Sequence, residues 1–259
     1  LNPLTYRRYT NVAEKHLLPC FADTLLSDIT DSMVSDFVKA KEAEGNSAAT
    51  IDMAVRVLGK VLKEYGRKPI KVKIEKPVKN KEKKSDTVVM EKEQVRAMEQ
   101  YLLTSHSSLT IGIFLSLKMG MTLGEICGLQ WQDVDFDSET VSVTHMVQRV
   151  VNRETNGPKT KLILMTLENA GCRQIPIPAS LFPLLQMEEI KTGFVLKEGE
   201  NNMPDPRTIQ WRFAKLMNIL KMPEYNYNAL RTTFAVRCIE AGMSLESLSC
   251  ILGHANVNI

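Results

Sequence analysis

A basic strip after the first quarter of the chain divides the sequence into two differently patterned parts. Residues 67–84 contain nine basic and two acidic side chains, a net charge of +7, whereas the whole 259-residue chain carries only +3. Pro69 and Pro77, together with repulsion between like charges, disfavour a long helix here. We therefore predict an interdomain linker over residues 67–87, between one domain at 1–66 and another at 88–259.

The strip has two interpretations on composition alone. A local cationic segment is the electrostatic signature of a polyanionic partner such as a nucleic acid. A solvated linker in a soluble protein has the same composition. If the strip binds duplex DNA, Lys81, Lys83 and Lys84 at its end are candidates for contacts with the DNA backbone.

The first domain is predicted to be a small helical unit. In SAATIDMAVRVLGKVLKEYG, apolar residues recur at the three- and four-residue spacing of one helix face. They are Ile51, Ala54, Val55, Leu58, Val61, Leu62 and Tyr65. Asn46 or Ser47 can cap the start of this helix, and Gly66 ends it. A second helix is predicted in ITDSMVSDFVKAKEAEG, and a third over roughly residues 5–17, broken at Pro19.

Helical patterns return after the strip and then give way to strands. KEQVRAMEQYLL, SLTIGIFLSLKMG and TLGEICGLQW each predict a helix. DVDFDSETVSVTHMVQRVV alternates and predicts two strands, RQIPIP predicts a third, and residues 156–157 indicate a turn between the second and third. Helices continue after Ala179. The predicted fold class is mainly α with a small three-stranded antiparallel sheet, in two domains.

Other features of the composition exclude several classes of protein. No apolar run approaches the ~20 residues of a membrane span, and the N-terminal residues lack the apolar core of a signal peptide. The five cysteines are scattered and have no metal-ligand spacing. These features predict a cytoplasmic protein with reduced thiols, no metal site and no membrane partner.

The strongest functional signal is the stretch NALRTTFAVRCIEAGMSLESLSCILGH, residues 228–254. It predicts two helices, with Arg231 near the start of the first and His254 just after the glycine that ends the second. LSLKMGMTLGEICGLQWQDVDF and GPKTK…CRQIPIP precede it in that order. Together these segments resemble the boxes of the tyrosine recombinases, the phage integrase family of site-specific DNA breaking and joining enzymes. The resemblance covers nearly the whole chain and implies a helical core-binding domain followed by a catalytic domain.

This resemblance implies that a tyrosine oxygen attacks a DNA phosphodiester to form a phosphotyrosine link, without a metal or a cofactor. It places the second phosphate-clamp arginine of the family on Arg231 and a later histidine on His254. A guanidinium fork matches nonbridging phosphate oxygens and stabilises the charge of the transition state. GPKTK…CRQIPIP resembles the sheet hairpin that carries the family's lysine. Lys159 is therefore the implied general acid, with Lys161 as its rival because the length of this hairpin varies in the family. Arg173 matches the customary arginine of this hairpin and is expected near the DNA backbone.

Three positions depart from the family pattern. The first clamp arginine falls on Thr122, which is short and uncharged; its spacing from Glu125 instead predicts a capping box. The family histidine falls on Asn228, which can donate a hydrogen bond but cannot carry a proton at neutral pH. The nucleophilic tyrosine is expected beyond His254, where the sequence has five residues and no tyrosine. The resemblance therefore implies either a protein that continues further or a degenerate relative.

The leading hypothesis is a recombinase of a bacterial or phage mobile element, nucleoid-associated, with this chain inactive or incomplete. Its partners are duplex DNA and, if the C-terminal tail is present, further copies of itself, as a tetramer on synapsed DNA. The alternative is a non-catalytic DNA-binding regulator derived from an integrase, which Thr122 and Asn228 favour. A third hypothesis is an unrelated helical module whose linker binds any polyanion.

Overall fold

A computed structural model of the protein contains two compact units, Leu1–Ser85 and Asp86–Ile259, each with its own hydrophobic core. The residues that the structure describes are 3–66, 88–105, 107–152, 157–168, 171–188, 191–197 and 203–254. The predicted linker at 67–87, with Lys81, Lys83 and Lys84, lies outside them, so the contacts expected of these lysines stay predictions. No helix among the described residues has the length and apolar character needed to cross a membrane.

Four helices form the described part of the first unit. They are α1 (Pro3–Val12), α2 (Leu18–Phe21), α3 (Asp31–Ala43) and α4 (Ala48–Glu64), with a π-helical turn at Ala13–Leu17 between α1 and α2. The predicted break at Pro19 is wrong, because the chain stays helical to Phe21. The π-helical turn ends just before Pro19, which occupies one of the first positions of α2, where a missing N–H costs no helical hydrogen bond.

The longest helix of this unit, α4, has the predicted start and most of the predicted buried face. The Ser47 hydroxyl caps it by accepting a hydrogen bond from the Thr50 backbone N–H at 3.2 Å. The buried residues are Ile51, Ala54, Val57, Leu58 and Leu62. Val61 and Tyr65, predicted on the same face, are exposed near its end. The apolar period thus located the face of α4 but not the extent of its contacts.

The second unit contains seven α-helices, one short 3-10 helix (Trp131–Asp133) and five strands among its described residues. The helices are α5 (Lys92–Ser105), α6 (Ser108–Met119), α7 (Leu123–Gly128), α8 (Phe182–Gln186), α9 (Pro206–Ile219), α10 (Asn228–Glu240) and α11 (Leu245–Leu252). The strands are β1 (Val134–Asp135), β2 (Thr140–Val143), β3 (His145–Val151), β4 (Thr160–Thr166) and β5 (Arg173–Pro176). Helix α6 packs against α10, and its apolar side chains, such as Ile113 and Leu115, are fully buried.

The strands form the predicted three-stranded antiparallel sheet and a separate two-stranded hairpin. The first strand of this hairpin, β3, was predicted as a continuation of the second strand of the sheet. The sheet has the order β1-β2-β5, with Val141 opposite Ile175. Strands β3 and β4 pair separately, with Val147 opposite Leu164. The turn predicted at 156–157 falls between β3 and β4, and Asn156 lies outside the described residues. Strand β4 was missed because TKLILMT has a continuous apolar run rather than the alternation that marks a half-buried strand.

Candidate functional site

Arg231 lies in the first turn of α10 and points between the ends of two other helices. Its Nη1 donates to the Gly120 carbonyl at 2.7 Å, just past the end of α6. Its Nη2 donates to the carbonyl of Leu252, the last residue of α11, also at 2.7 Å. The side chain is 13% exposed. Backbone carbonyls from two helix ends therefore fix the direction of this guanidinium.

His254 meets the same guanidinium. Its Nε2 lies 3.2 Å from Nη2 of Arg231, and because an arginine only donates, a hydrogen bond between them requires Nε2 as the acceptor. Gly253, with φ +69°, ends α11 in the left-handed conformation and turns the chain so that His254 faces Arg231. The pKa of His254 lies below its ordinary value, because partial burial disfavours the charged ring and Arg231 and Arg173 add positive charge.

A buried carboxylate lies behind these two residues. Glu125 accepts two hydrogen bonds from the fork of Arg173, at 2.9 and 3.0 Å, and one of its oxygens lies 3.9 Å from Nη1 of Arg231. The side chains of Arg173 and Glu125 are 7% and 9% exposed. Burial lowers the pKa of Arg231, Glu125 opposes this, and Arg173 adds to it. One carboxylate therefore stabilises two guanidinium groups in the interior of the domain.

Thr122 has the capping role that its spacing predicted. Its hydroxyl accepts a hydrogen bond from the backbone N–H of Glu125 at 3.4 Å, and the Glu125 carboxylate accepts one from the backbone N–H of Thr122 at 2.8 Å. This reciprocal pair starts α7. The same carboxylate therefore caps a helix at the position of the missing arginine and stabilises Arg173.

A cavity of about 200 Å³ opens beside Arg231. Its lining residues are Ser116, Met121, Thr122, Leu123, Gln210, Tyr227, Asn228 and Arg231. Arg231 is the one charged side chain among them; Thr122 and Asn228 contribute neutral polar groups. An anion in this cavity would therefore contact one cationic side chain and several neutral polar groups.

The structure separates the other predicted residues from this cavity. Lys159 and Lys161 are exposed, one just before β4 and the other within it, and neither is among the described residues that line the cavity. Arg173 was expected near the DNA backbone, but its guanidinium is buried against Glu125. In the described chain, no group of three or more His, Cys, Asp and Glu side chains is placed to hold a metal ion.

Sequence reasoning missed two features around the site. Gln210 on α9 lines the cavity, and only its place on the exposed face of an amphipathic helix could have indicated it. Arg149 on β3 donates to the Thr160 hydroxyl at 2.8 Å and forms an ion pair with Asp205, which caps α9. This arginine ties the hairpin, next to Lys159, to the start of α9.

The close packing around Gly120 gives a prediction for stability. Gly120 has φ +66°, and an added Cβ would lie 2.6 Å from the Phe234 ring and 2.8 Å from Leu252. Gly120→Ala is expected to lower the free energy of unfolding by about 2–4 kcal/mol, from backbone strain and overpacking. Gly242→Ala is the matched control, because Gly242 has φ +87° but no atom within 4 Å of the added Cβ. Denaturant titrations in which both variants lose the same stability would contradict the role of crowding.

The lowered pKa of His254 gives a prediction for pH. His254 has its ordinary pKa of 6.5 in the unfolded chain and a lower pKa in the folded protein. At pH values between these two pKa values, the unfolded state therefore binds more protons than the folded state. The contribution of neutral His254 to stability is therefore complete above pH 6.5 and is lost as pH falls toward the folded pKa. As the pH is lowered from about 7.5 to about 5, the thermal midpoint of His254→Gln is expected to fall less steeply than that of the unmodified protein. Equal slopes would rule out this linkage.

The comparisons with known proteins agree with this fold. Residues 88–259 match the phage integrase family. The chain belongs to this family of tyrosine recombinases.

Similar proteins include recombinases and transposases. The chain is 26% identical over 164 residues to a XerC-like tyrosine recombinase of Caldanaerobacter subterraneus, covering 56% of this chain and 42% of the relative. It is 26% identical over 165 residues to the transposase of transposon Tn916 from Enterococcus faecalis, covering 56% and 39%. The chain thus spans about two fifths of the length of these curated relatives.

Solved structures show the same fold. The integrase of transposon Tn1549 in complex with transposon right-end DNA superimposes with a TM-score of 0.74 at 19% identity, over 98% of this chain and 85% of that chain. A λ integrase dimer bound to a core site superimposes with a TM-score of 0.62 at 16% identity, over 100% of this chain and 90% of that chain. At these identities the likeness concerns the fold alone.

Proposed function

We propose that this chain is the DNA-binding and catalytic-type part of a mobile-element recombinase, with a weakened phosphate site. The observation that carries the proposal is the meeting of Arg231, on α10, and His254, just after the end of α11, beside a small cavity with polar groups in its lining. The reaction would be cleavage and rejoining of duplex DNA through a phosphotyrosine intermediate. The proposed residue roles are phosphate clamp for Arg231, phosphate hydrogen bond for His254, and general acid for Lys159, with Lys161 as its rival.

The remaining hydrogen-bond donors of Arg231 support the phosphate-clamp role. A guanidinium has five N–H groups, and within the described chain three of these donate to Gly120, Leu252 and His254. The Nε–H and one Nη1–H are left to reach an anion. His254 adds a further donor when a phosphate replaces its bond to Arg231 and the ring gains a proton. Arg231 and His254 together can therefore hold one phosphate group.

Thr122 and Asn228 limit what this site can do to a transition state. Losing one clamp arginine removes on the order of 3–5 kcal/mol of stabilisation, roughly a thousandfold in rate. Thr122 also caps α7, and Asn228 cannot transfer a proton at neutral pH. We infer that strand cleavage by this site is slow compared with DNA binding.

A regulator that binds DNA without cutting it is the second candidate function. Two observations favour it: Arg231 is the one cationic side chain among the residues that line the cavity, and Thr122 takes part in a complete capping box. Such a protein would occupy recombination sites and use DNA phosphates mainly for affinity and counterion release. It would need the same first unit and the same Arg231, but not Lys159.

A covalent-adduct assay separates the two functions. The full-length protein, including any residues that follow Ile259, is mixed with a nicked suicide duplex chosen from a randomised pool by the unmodified protein. The double variant Thr122→Arg/Asn228→His is tested beside it, and Lys159→Ala and Lys161→Ala are tested in that background. A slow adduct in the unmodified protein that the double variant accelerates would support a weakened recombinase.

The other outcomes of this assay are equally informative. Tight, sequence-specific binding without adduct in either protein would support the regulator. Binding that is equal for all sequences would contradict both functions and favour a general polyanion-binding module. Loss of adduct in only one lysine variant would identify the general acid.

A further inference from the structure

Arg173 is the most completely engaged arginine near the site. Its Nε donates to the Ile251 carbonyl at 2.5 Å, its Nη1 donates to Glu125 and to the Gly171 carbonyl at 2.9 and 3.1 Å, and its Nη2 donates to Glu125 at 3.0 Å. Four of its five N–H groups are therefore used within the protein. With 7% of the side chain exposed, Arg173 has almost no capacity left for a DNA phosphate.

The groups that Arg173 contacts are those that orient the site. Glu125 caps α7 at Thr122 and lies 3.9 Å from Arg231. Ile251 belongs to the last turn of α11, next to Leu252, whose carbonyl accepts from Arg231, and three residues before His254. Arg173 thus joins the edge of the sheet, at the start of β5, to both the α7 and the α11 side of the site.

We propose that Arg173 is a positioning residue, which holds the Glu125 carboxylate and the end of α11 so that Arg231 and His254 face one phosphate. This inference rests on the proposed DNA-binding function, but it assigns Arg173 a role behind the phosphate site rather than on the DNA. The buried fork of Arg173 matches a carboxylate in a way that lysine cannot, because lysine offers a single charged centre.

The test compares three variants with a matched control. Arg173→Lys keeps the charge and loses the fork, Arg173→Met loses both, and the double variant Glu125→Leu/Arg173→Met leaves neither charge of the pair buried alone. The control is Arg237→Met, since Arg237 on α10 also forms an ion pair, with Glu240, and donates to a backbone carbonyl, that of Met90. For each protein three quantities are measured: the His254 pKa by NMR titration, the thermal midpoint, and the affinity for a duplex that the unmodified protein selects from a randomised pool.

The expected result combines changes in binding with changes at His254. Arg173→Met and the double variant are expected to raise the His254 pKa, because a nearby cation is removed, and to weaken duplex binding about tenfold or more. Arg173→Lys is expected to keep the His254 pKa closer to that of the unmodified protein while binding is still weakened. Arg237→Met is expected to lower the thermal midpoint and leave both other quantities unchanged.

Two results would overturn the assignment. If the Arg173 variants lose thermal stability but keep the His254 pKa and duplex affinity of the unmodified protein, Arg173 is only a folding residue. If Arg173→Met reduces the salt dependence of binding by one phosphate contact without moving the His254 pKa, Arg173 contacts DNA directly. If Arg173→Met does not fold, Arg173→Lys decides by its affinity: weaker binding with an unchanged salt dependence supports the positioning role, and unchanged binding contradicts it. Failure of the unmodified protein to bind any duplex would contradict the proposed function, whereas the His254 pKa would still test the positioning role.

Discussion

Glu125→Gln is expected to destabilise the second unit by about 3–5 kcal/mol, because it leaves the buried guanidinium of Arg173 and the partly buried one of Arg231 without their carboxylate. The neutral amide also replaces the charged acceptor that caps α7 at Thr122. Since a domain of this size has a free energy of unfolding of about 5–15 kcal/mol, this is a large part of its stability. Denaturant unfolding of the second unit at neutral pH measures the loss.

Two further variants define this prediction. Glu240→Gln removes the carboxylate of the ion pair between Arg237 and Glu240 on α10, and this pair is far more exposed than the pair of Arg173 and Glu125. The substitution is therefore expected to leave the unfolding midpoint nearly unchanged. Glu125→Leu/Arg173→Met removes both partners of the buried pair and should be more stable than Glu125→Gln or Arg173→Met, each of which leaves a partner of that pair without its counter-charge. A Glu125→Gln protein as stable as Glu240→Gln would mean that the buried carboxylate does not hold the two arginines.

Arg231→Met is expected to weaken binding to a selected duplex by about 10–100-fold, the effect of losing charge-assisted hydrogen bonds to one phosphate. The slope of log affinity against log salt concentration should also fall by about one phosphate contact. Arg231→Lys should keep that slope, because it keeps the charge, and still lose affinity, because it loses the fork. Fluorescence anisotropy over a series of salt concentrations measures both quantities.

Arg237→Met is the control for this second prediction as well. Arg237 lies on the same helix as Arg231, and the substitution removes a cation whose partners are Glu240 and the Met90 carbonyl. Its affinity and salt slope are expected to equal those of the unmodified protein. If Arg231→Met and Arg237→Met have the same salt dependence, the site at the start of α10 does not contact a phosphate.

The parts of the site that depend on neighbouring residues could be predicted from the sequence. The capping box of Thr122 and Glu125 depends on a spacing of three residues, and the position of His254 on a glycine just before it. The helical character of α4 was also readable, since its apolar residues recur with the helical period. In each case the determining groups lie within a few turns of one another, where local sequence patterns carry the information.

The parts that depend on distant residues could not be predicted in this way. Arg173 and Glu125 are 48 residues apart, and Arg231 and Gly120 are 111 apart, so no local period marks their contacts. Arg173 matched a customary position of the family, and only its two hydrogen bonds to Glu125 in the structure show that it contacts a carboxylate. Strand β4 was missed because a continuous apolar run is compatible with either a helix or a strand, and pairing with β3 decides between them.

The most direct test of the central claim is a methylphosphonate scan. Each phosphate of a selected duplex is replaced in turn by the uncharged methylphosphonate, and the affinities of the unmodified protein, Arg231→Met and His254→Gln are measured. If Arg231 and His254 hold a single phosphate, one position will weaken binding of the unmodified protein and leave both variants unaffected. If every position weakens the three proteins equally, or if the two variants are insensitive at different phosphates, the two residues do not share a phosphate and the proposed site is wrong.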